Sequence, residues 1–310
     1  MDVPDLRPLS IGEILDRSVT LFVRRFALFM SALGLISIPV IVYQVIASPA
    51  DVSASFGDLQ KIFSSSGNPA AMRVLTEQMQ TRQLALAGPA FVAMLALPLE
   101  NTIVSIIAAG AFLGAAPALG PAFRAAFARY LPALVVSIGF FVIFGAGVIG
   151  VMIAVFVIVL AVAALALLSR LLALALGIVI GIAVFAALVA FGSIATLAWR
   201  IAIVAVATED GNPIRAIASG LRRTFGGGAF VRSILVGLAA YVVDFTGVLI
   251  ALGAGTVLSL LTHVPALSVI VTALAGITVS GLVSTFVVRY SIDVRVRREG
   301  FAGVLVPTQT

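Results

Sequence analysis

From Pro132 to Thr208 the chain is an almost unbroken apolar run that holds only two charges, Arg170 and Arg200. A soluble domain cannot bury that many consecutive apolar residues, and about 20 of them already suffice to cross a bilayer. The run therefore places the chain in a membrane. It also makes Arg200 conspicuous, because an ionised side chain inside such a segment is costly and needs a partner or a route to water.

Composition agrees with this placement. Of 310 residues, 62% are hydrophobic and 10% charged, against about 45–50% and about 25% in ordinary globular domains. That leaves room for roughly six spans with short connections. The net charge of +6 is nearly all arginine, with Lys61 the only lysine. These arginines are scattered beside apolar segments rather than massed in one patch, so they read as membrane-flanking charges and no nucleic-acid partner is expected. Cysteine is absent, which excludes disulfides and thiolate metal sites. The first 26 residues carry Asp2, Asp5, Glu13, Asp16 and four arginines. They are too charged for a cleaved signal peptide, so a cytosolic N-terminus is expected.

The spans read as residues 27–47, 85–116, 132–165, 172–207, 229–261 and 266–288. Residues 48–83 form a polar extracytoplasmic loop, with a short helix expected over 70–82. Residues 289–310 form a charged cytosolic tail. The run 132–208 admits two long or broken helices or three short ones. Charge arbitrates for two, because three would translocate Arg215, Arg222 and Arg223 against the positive-inside tendency. On that topology fourteen basic residues face the cytosol, and Lys61, Arg73, Arg82 and Arg170 face outward.

Three amphipathic segments precede the odd-numbered spans. The first opens at Ser10-Ile11-Gly12-Glu13, the spacing of a reciprocal capping box. The second opens at Gly120-Pro121 and the third at Asn212-Pro213, with proline expected at the first helical position. Apolar stripes follow: Ile11, Ile14, Leu15 and Phe22; Phe123, Ala126, Phe127 and Tyr130; Ile214, Ile217, Ala218, Leu221 and Phe225. Arginines lie on the other faces. Such helices are expected in the plane of the membrane interface, with Gly226-Gly227-Gly228 as an elbow after the third. The fold class is then an all-α integral membrane protein of six transmembrane helices, built as three copies of interfacial helix, span and return span.

Four stretches resemble the membrane domain of the glycerophosphodiester phosphodiesterase family, a group of bacterial multi-span domains. They are Leu6-Arg7-Pro8-Leu9-Ser10-Ile11-Gly12-Glu13-Ile14-Leu15-Asp16; Phe112-Leu113-Gly114 through Phe123-Arg124-Ala125-Ala126-Phe127; Glu209-Asp210-Gly211 with the helix after it; and Arg289-Tyr290-Ser291-Ile292-Asp293-Val294-Arg295-Val296-Arg297-Arg298-Glu299-Gly300-Phe301. The resemblance implies a bacterial plasma membrane setting. Fused members of the family add a catalytic barrel, and nothing in this chain resembles it, so phosphodiesterase activity is not implied.

No catalytic, cofactor or metal constellation is expected. His263 is the only histidine, and it has no carboxylate or second imidazole at ligand spacing. The triple glycine lacks the lysine and hydroxyl of a phosphate loop. Two sets of residues remain. Arg17, Arg24, Arg25, Arg124, Arg129, Arg215, Arg222 and Arg223 are candidates for holding anionic lipid headgroups. Glu100, Arg200 and Asp244 are candidates for an intramembrane polar site. Arg200 is read either as snorkelling to the interface beside Trp199 or as paired with Asp244. Pro98 is expected to break the second span and leave Glu100 near the outer headgroups. The function expected is a non-enzymatic membrane scaffold that binds anionic lipid, a protein partner or its own copies. The alternative is a transporter of a lipid-like or small amphiphilic solute.

Overall fold

The computed structural model describes residues 8–47, 69–115, 117–166, 169–209, 211–226 and 230–305. Among them every regular element is an α-helix: α1 (Ile11–Arg24), α2 (Phe26–Ala47), α3 (Pro69–Phe112), α4 (Leu119–Ala128), α5 (Tyr130–Ala166), α6 (Arg170–Thr208), α7 (Pro213–Phe225), α8 (Phe230–Thr262) and α9 (Pro265–Leu305). Six of them, α2, α3, α5, α6, α8 and α9, are long and apolar enough to cross a bilayer. The run 132–208 forms two helices, and Ser169 caps the second by accepting from the Leu172 amide. Residues 48–68 of the expected loop lie outside the described residues, and residues 69–83 form the opening turns of α3 itself.

The short helices begin where their caps dictate. The Ser10 hydroxyl accepts from the Glu13 amide and the Glu13 carboxylate accepts from the Ser10 amide, closing the capping box. The Asn212 side chain accepts from the amides of Ile214 and Arg215, with Pro213 in the first turn. The second short helix starts two residues before Pro121, at Leu119, and has no side-chain cap. Sharp elbows follow. One residue, Arg25, separates α1 from α2, and one residue, Arg129, separates α4 from α5. After α7 the turn begins at Gly226, and Gly227 and Gly228 lie outside the described residues.

The packing closes into a ring of three units, α1–α3, α4–α6 and α7–α9. Each short helix rests on the last helix of the preceding unit: α4 on α3, α7 on α6, and α1 on α9. The three last helices, α3, α6 and α9, touch one another at the centre. The first spans α5, α8 and α2 lie outside them, packed on α3, α6 and α9 respectively. Lipid supplies no hydrophobic drive for helices to associate, so the fit depends on close packing. The buried centre is accordingly filled by Ile103 and Ile107 of α3, Leu197 and Ile201 of α6, and Val283 and Phe286 of α9. Gly114 (φ +85°), just past the end of α3, and Gly211 (φ +71°), just before the Asn212 cap of α7, take the left-handed conformation open to glycine.

The ring has an elbow end, where α1, α4 and α7 gather, and a turn end, where the hairpins reverse. At the elbow end the structure differs from the expected tail. α9 continues through Leu305, and Phe286 to Val294 are all buried. Hydrogen bonds and ion pairs from Leu9 ahead of α1, from α7 and from α8 hold this extension as the base of the bundle. Toward the turn end, α5 and α6 leave large apolar side chains such as Ile149, Phe156, Ile182 and Phe185 exposed, as lipid-facing positions require.

Candidate functional site

At 1.5 Å per residue, Arg200 lies about 14 Å from Glu209 at the elbow end of α6, and Asp244 about 18 Å from Arg232 on α8. Across a hydrocarbon core of about 30 Å, both sit near mid-depth. The structure brings them together: Arg200 Nη2 lies 2.9 Å from Asp244 Oδ2. Arg200 Nη1 donates to Ser284 Oγ (2.8 Å) and to the Ser280 carbonyl (3.3 Å). Ser284 passes the network on, donating to Asn101 Oδ1 (2.7 Å), and Asn101 donates to the Leu97 carbonyl. Arg200 is only 6% exposed, so its charge is held inside the bundle rather than led to the surface. Trp199 does not anchor it at an interface. The indole donates to Ser137 of α5 instead (3.0 Å).

Glu100 is not at the outer headgroups. α3 runs through Pro98 without interruption, and Glu100 lies about 18 Å from Phe112 at the elbow end. That puts it at the depth of Arg200. Its carboxylate accepts from Ser37 of α2 at 2.5 Å. Thr102 and Ser105, close in sequence, are satisfied by their own helix, donating to the Pro98 and Asn101 carbonyls.

The three inter-unit clefts differ in how they are closed. Between α6, α8 and α9 the cleft is shut: Asp244 and Arg200 close it, and a Cβ on Gly237 would meet the Ser193 carbonyl oxygen at 2.9 Å. Between α3, α5 and α6 there is an apolar groove of about 270 Å³, lined by Met94, Phe140, Phe141, Phe144 and Trp199. Between α9, α2 and α3 there is a groove of about 240 Å³ that contains Glu100, Ser37, Gln44 and Ser280 among small residues such as Ala93, Ala96 and Gly276.

A second charged layer lies at the elbow end. Asp293, 2% exposed, accepts from the Leu9 amide (2.7 Å) and pairs with Arg232 (3.0 Å) and Arg297 (2.9 Å). Both arginines also donate to the Leu9 carbonyl. Glu209, in the turn before α7, pairs with Arg223 at 2.7 Å and approaches Arg295 at 3.9 Å. Arg298 donates to the Arg222 and Gly226 carbonyls, and Arg289 lies 5.1 Å over the Phe112 ring. In the sequence alone, Arg289, Asp293, Arg295, Arg297 and Arg298 read as charges of a cytosolic tail. The spacing Arg289–Asp293–Arg297, one helical turn apart, was the available sign that α9 continues.

The lipid-facing candidates divide. Arg24, Arg25, Arg124, Arg215 and Arg222 are exposed, while Arg17 and Arg129 are half-buried. Partial burial lowers the Arg129 guanidinium from its ordinary value. Arg223 is a correction: at 4% exposure it faces α6, because Glu209 outside the helix draws it inward. The apolar stripes are also split, since only part of each is buried. Consecutive residues turn a helix by about 100°, and one triplet recurs in each short helix. Phe22-Val23-Arg24, Ala122-Phe123-Arg124 and Gly220-Leu221-Arg222 each run from buried, to an apolar flank, to an exposed arginine. All three short helices therefore present protein, apolar and basic sectors in the same rotational order.

Among the described residues no group of three or more His, Asp or Glu could hold a metal ion. Comparison with protein-family models, curated proteins and solved structures finds no match. What the helices and this buried polar core define is an all-α, multi-pass integral membrane protein.

Proposed function

We propose that this protein is a non-enzymatic membrane scaffold whose elbow end holds anionic lipid headgroups. One observation carries the reading, the shared order of buried, apolar and basic sectors around α1, α4 and α7. A helix with those three sectors fits the boundary between protein, acyl chains and headgroups. Because the order has one hand in all three units, the exposed arginines form a rim at one end of the ring. Each such arginine contributes about 1 kcal/mol of attraction to an anionic leaflet, and the attraction weakens with salt. The likeness to the membrane domain of the glycerophosphodiester phosphodiesterase family, and a bacterial plasma membrane with both termini cytosolic, belong to the same proposal. The positive-inside tendency supports that orientation.

The test separates rim from base. Purified protein in mixed anionic and zwitterionic lipid is assayed for co-retained anionic lipid by native mass spectrometry across a salt series. Replacing Arg124, Arg215 and Arg222 with glutamine is expected to reduce retention and its salt dependence. Arg223→Gln is expected to lower thermal stability and leave retention unchanged. Equal retention by the triple variant and the parent would refute the proposal. A second reading, movement of a lipid-like or small amphiphilic solute, is supported by the apolar groove between α3, α5 and α6, whose 270 Å³ suits part of an acyl chain.

A further inference from the structure

We infer that the groove between α9, α2 and α3 is a site for one positive charge, a proton or an alkali cation, held by the Glu100 carboxylate at mid-depth in the membrane. This stands independently of the lipid rim, which lies at the other level of the molecule. The charge balance leads to it. Among the described residues at this depth, Arg200 and Asp244 cancel each other at 2.9 Å. Among the described residues Glu100 has no basic side chain within ion-pair distance, and its hydrogen bond there comes from Ser37. A carboxylate in a bundle interior must be paired, protonated or wet, so one negative charge waits for a complement.

The surroundings fit a small occupant. The groove's 240 Å³ has room for water or an ion, and its polar groups come from three helices: Ser37 and Gln44 of α2, Glu100 of α3, and Ser280 of α9. No other titratable group lines it among the described residues. Gln44 lies about 10 Å nearer the turn end than Ser37 along α2, which marks that side as the polar approach. Small residues on all three walls, including Ala93, Ala273 and Gly276, keep the space from being filled by protein. Ser280 connects the groove to the buried network, since its carbonyl accepts from Arg200. Occupancy beside Glu100 is therefore positioned to be felt at Arg200 and at its neighbour Trp199, the only tryptophan in the chain.

The experiment uses the full chain in lipid nanodiscs. Infrared difference spectra against Glu100→Gln report whether the carboxyl is protonated. Thermal melting and Trp199 fluorescence are followed as sodium or potassium chloride replaces choline chloride at constant ionic strength and pH. A proton occupant gives a protonated carboxyl band at neutral pH that is missing from E100Q, with no alkali dependence. An alkali occupant gives an ionised band and a melting temperature that rises with Na⁺ or K⁺ in the parent only. An ionised Glu100 with no ion dependence, or the same dependence in E100Q, overturns the inference.

Discussion

The cleft between α6, α8 and α9 and the cleft between α9, α2 and α3 occupy equivalent places in the ring, yet one is closed and the other open. In the first, a carboxylate on the outer span meets a guanidinium on the preceding unit's last helix, and the backbones approach closely at Gly237. In the second, the carboxylate sits on α3, the outer span offers Ser37 and Gln44, and no basic side chain among the described residues lines the groove. The same scaffold thus yields a stapled seam where charges are complementary, and a polar groove where they are not. Fold and site are separable here: repetition of the unit builds the ring, and departures from repetition decide which seam is free to bind.

The sharpest way to break this comparison is Asp244→Asn. It leaves Arg200 buried without its counter-ion and is expected to cost about 3–5 kcal/mol in detergent unfolding. Combining it with Arg200→Gln should recover part of that loss in a double-mutant cycle. Next in size is Gly237→Ala, whose methyl has no room beside the Ser193 carbonyl; a loss of about 1–3 kcal/mol is expected. Glu100→Gln should move stability by less than about 1 kcal/mol, because the amide still accepts from Ser37 and no counter-ion is orphaned. A cost equal to that of Asp244→Asn would show that Glu100 is also stapled. The smallest effect belongs to Gly276→Ala in the open groove. Nothing lies within 4 Å of its added methyl, and the lost backbone freedom of the unfolded chain favours the variant by about 0.4–1 kcal/mol.

Much of the fold was legible because it rests on local rules. The apolar run fixed the environment, the capping residues Ser10 and Asn212 marked helix starts, and charge bias chose two helices over three between Pro132 and Thr208. Arg200 and Asp244 stood out as charges in apolar surroundings, which exposed the pair as one of two readings. What failed was long-range. Arg223 was assigned to the lipid rim because helical periodicity cannot see Glu209 beyond the helix end. Glu100 was placed too near the surface because proline was taken for a break, whereas α3 runs through Pro98. Asp293 was read as tail because its partners, Leu9 and Arg232, are brought to it only when the ring closes.

The chain's lack of cysteine allows the difference between the clefts to be tested without background. Single cysteines at Ala96, in the groove, and at Ser193, under Gly237 in the closed seam, are treated with a small cationic thiol reagent in intact membranes. The account predicts that Ala96→Cys reacts, that the reaction slows when Glu100→Gln is added, and that Ser193→Cys stays unmodified. Equal reaction at both positions, or none at Ala96→Cys, would contradict it.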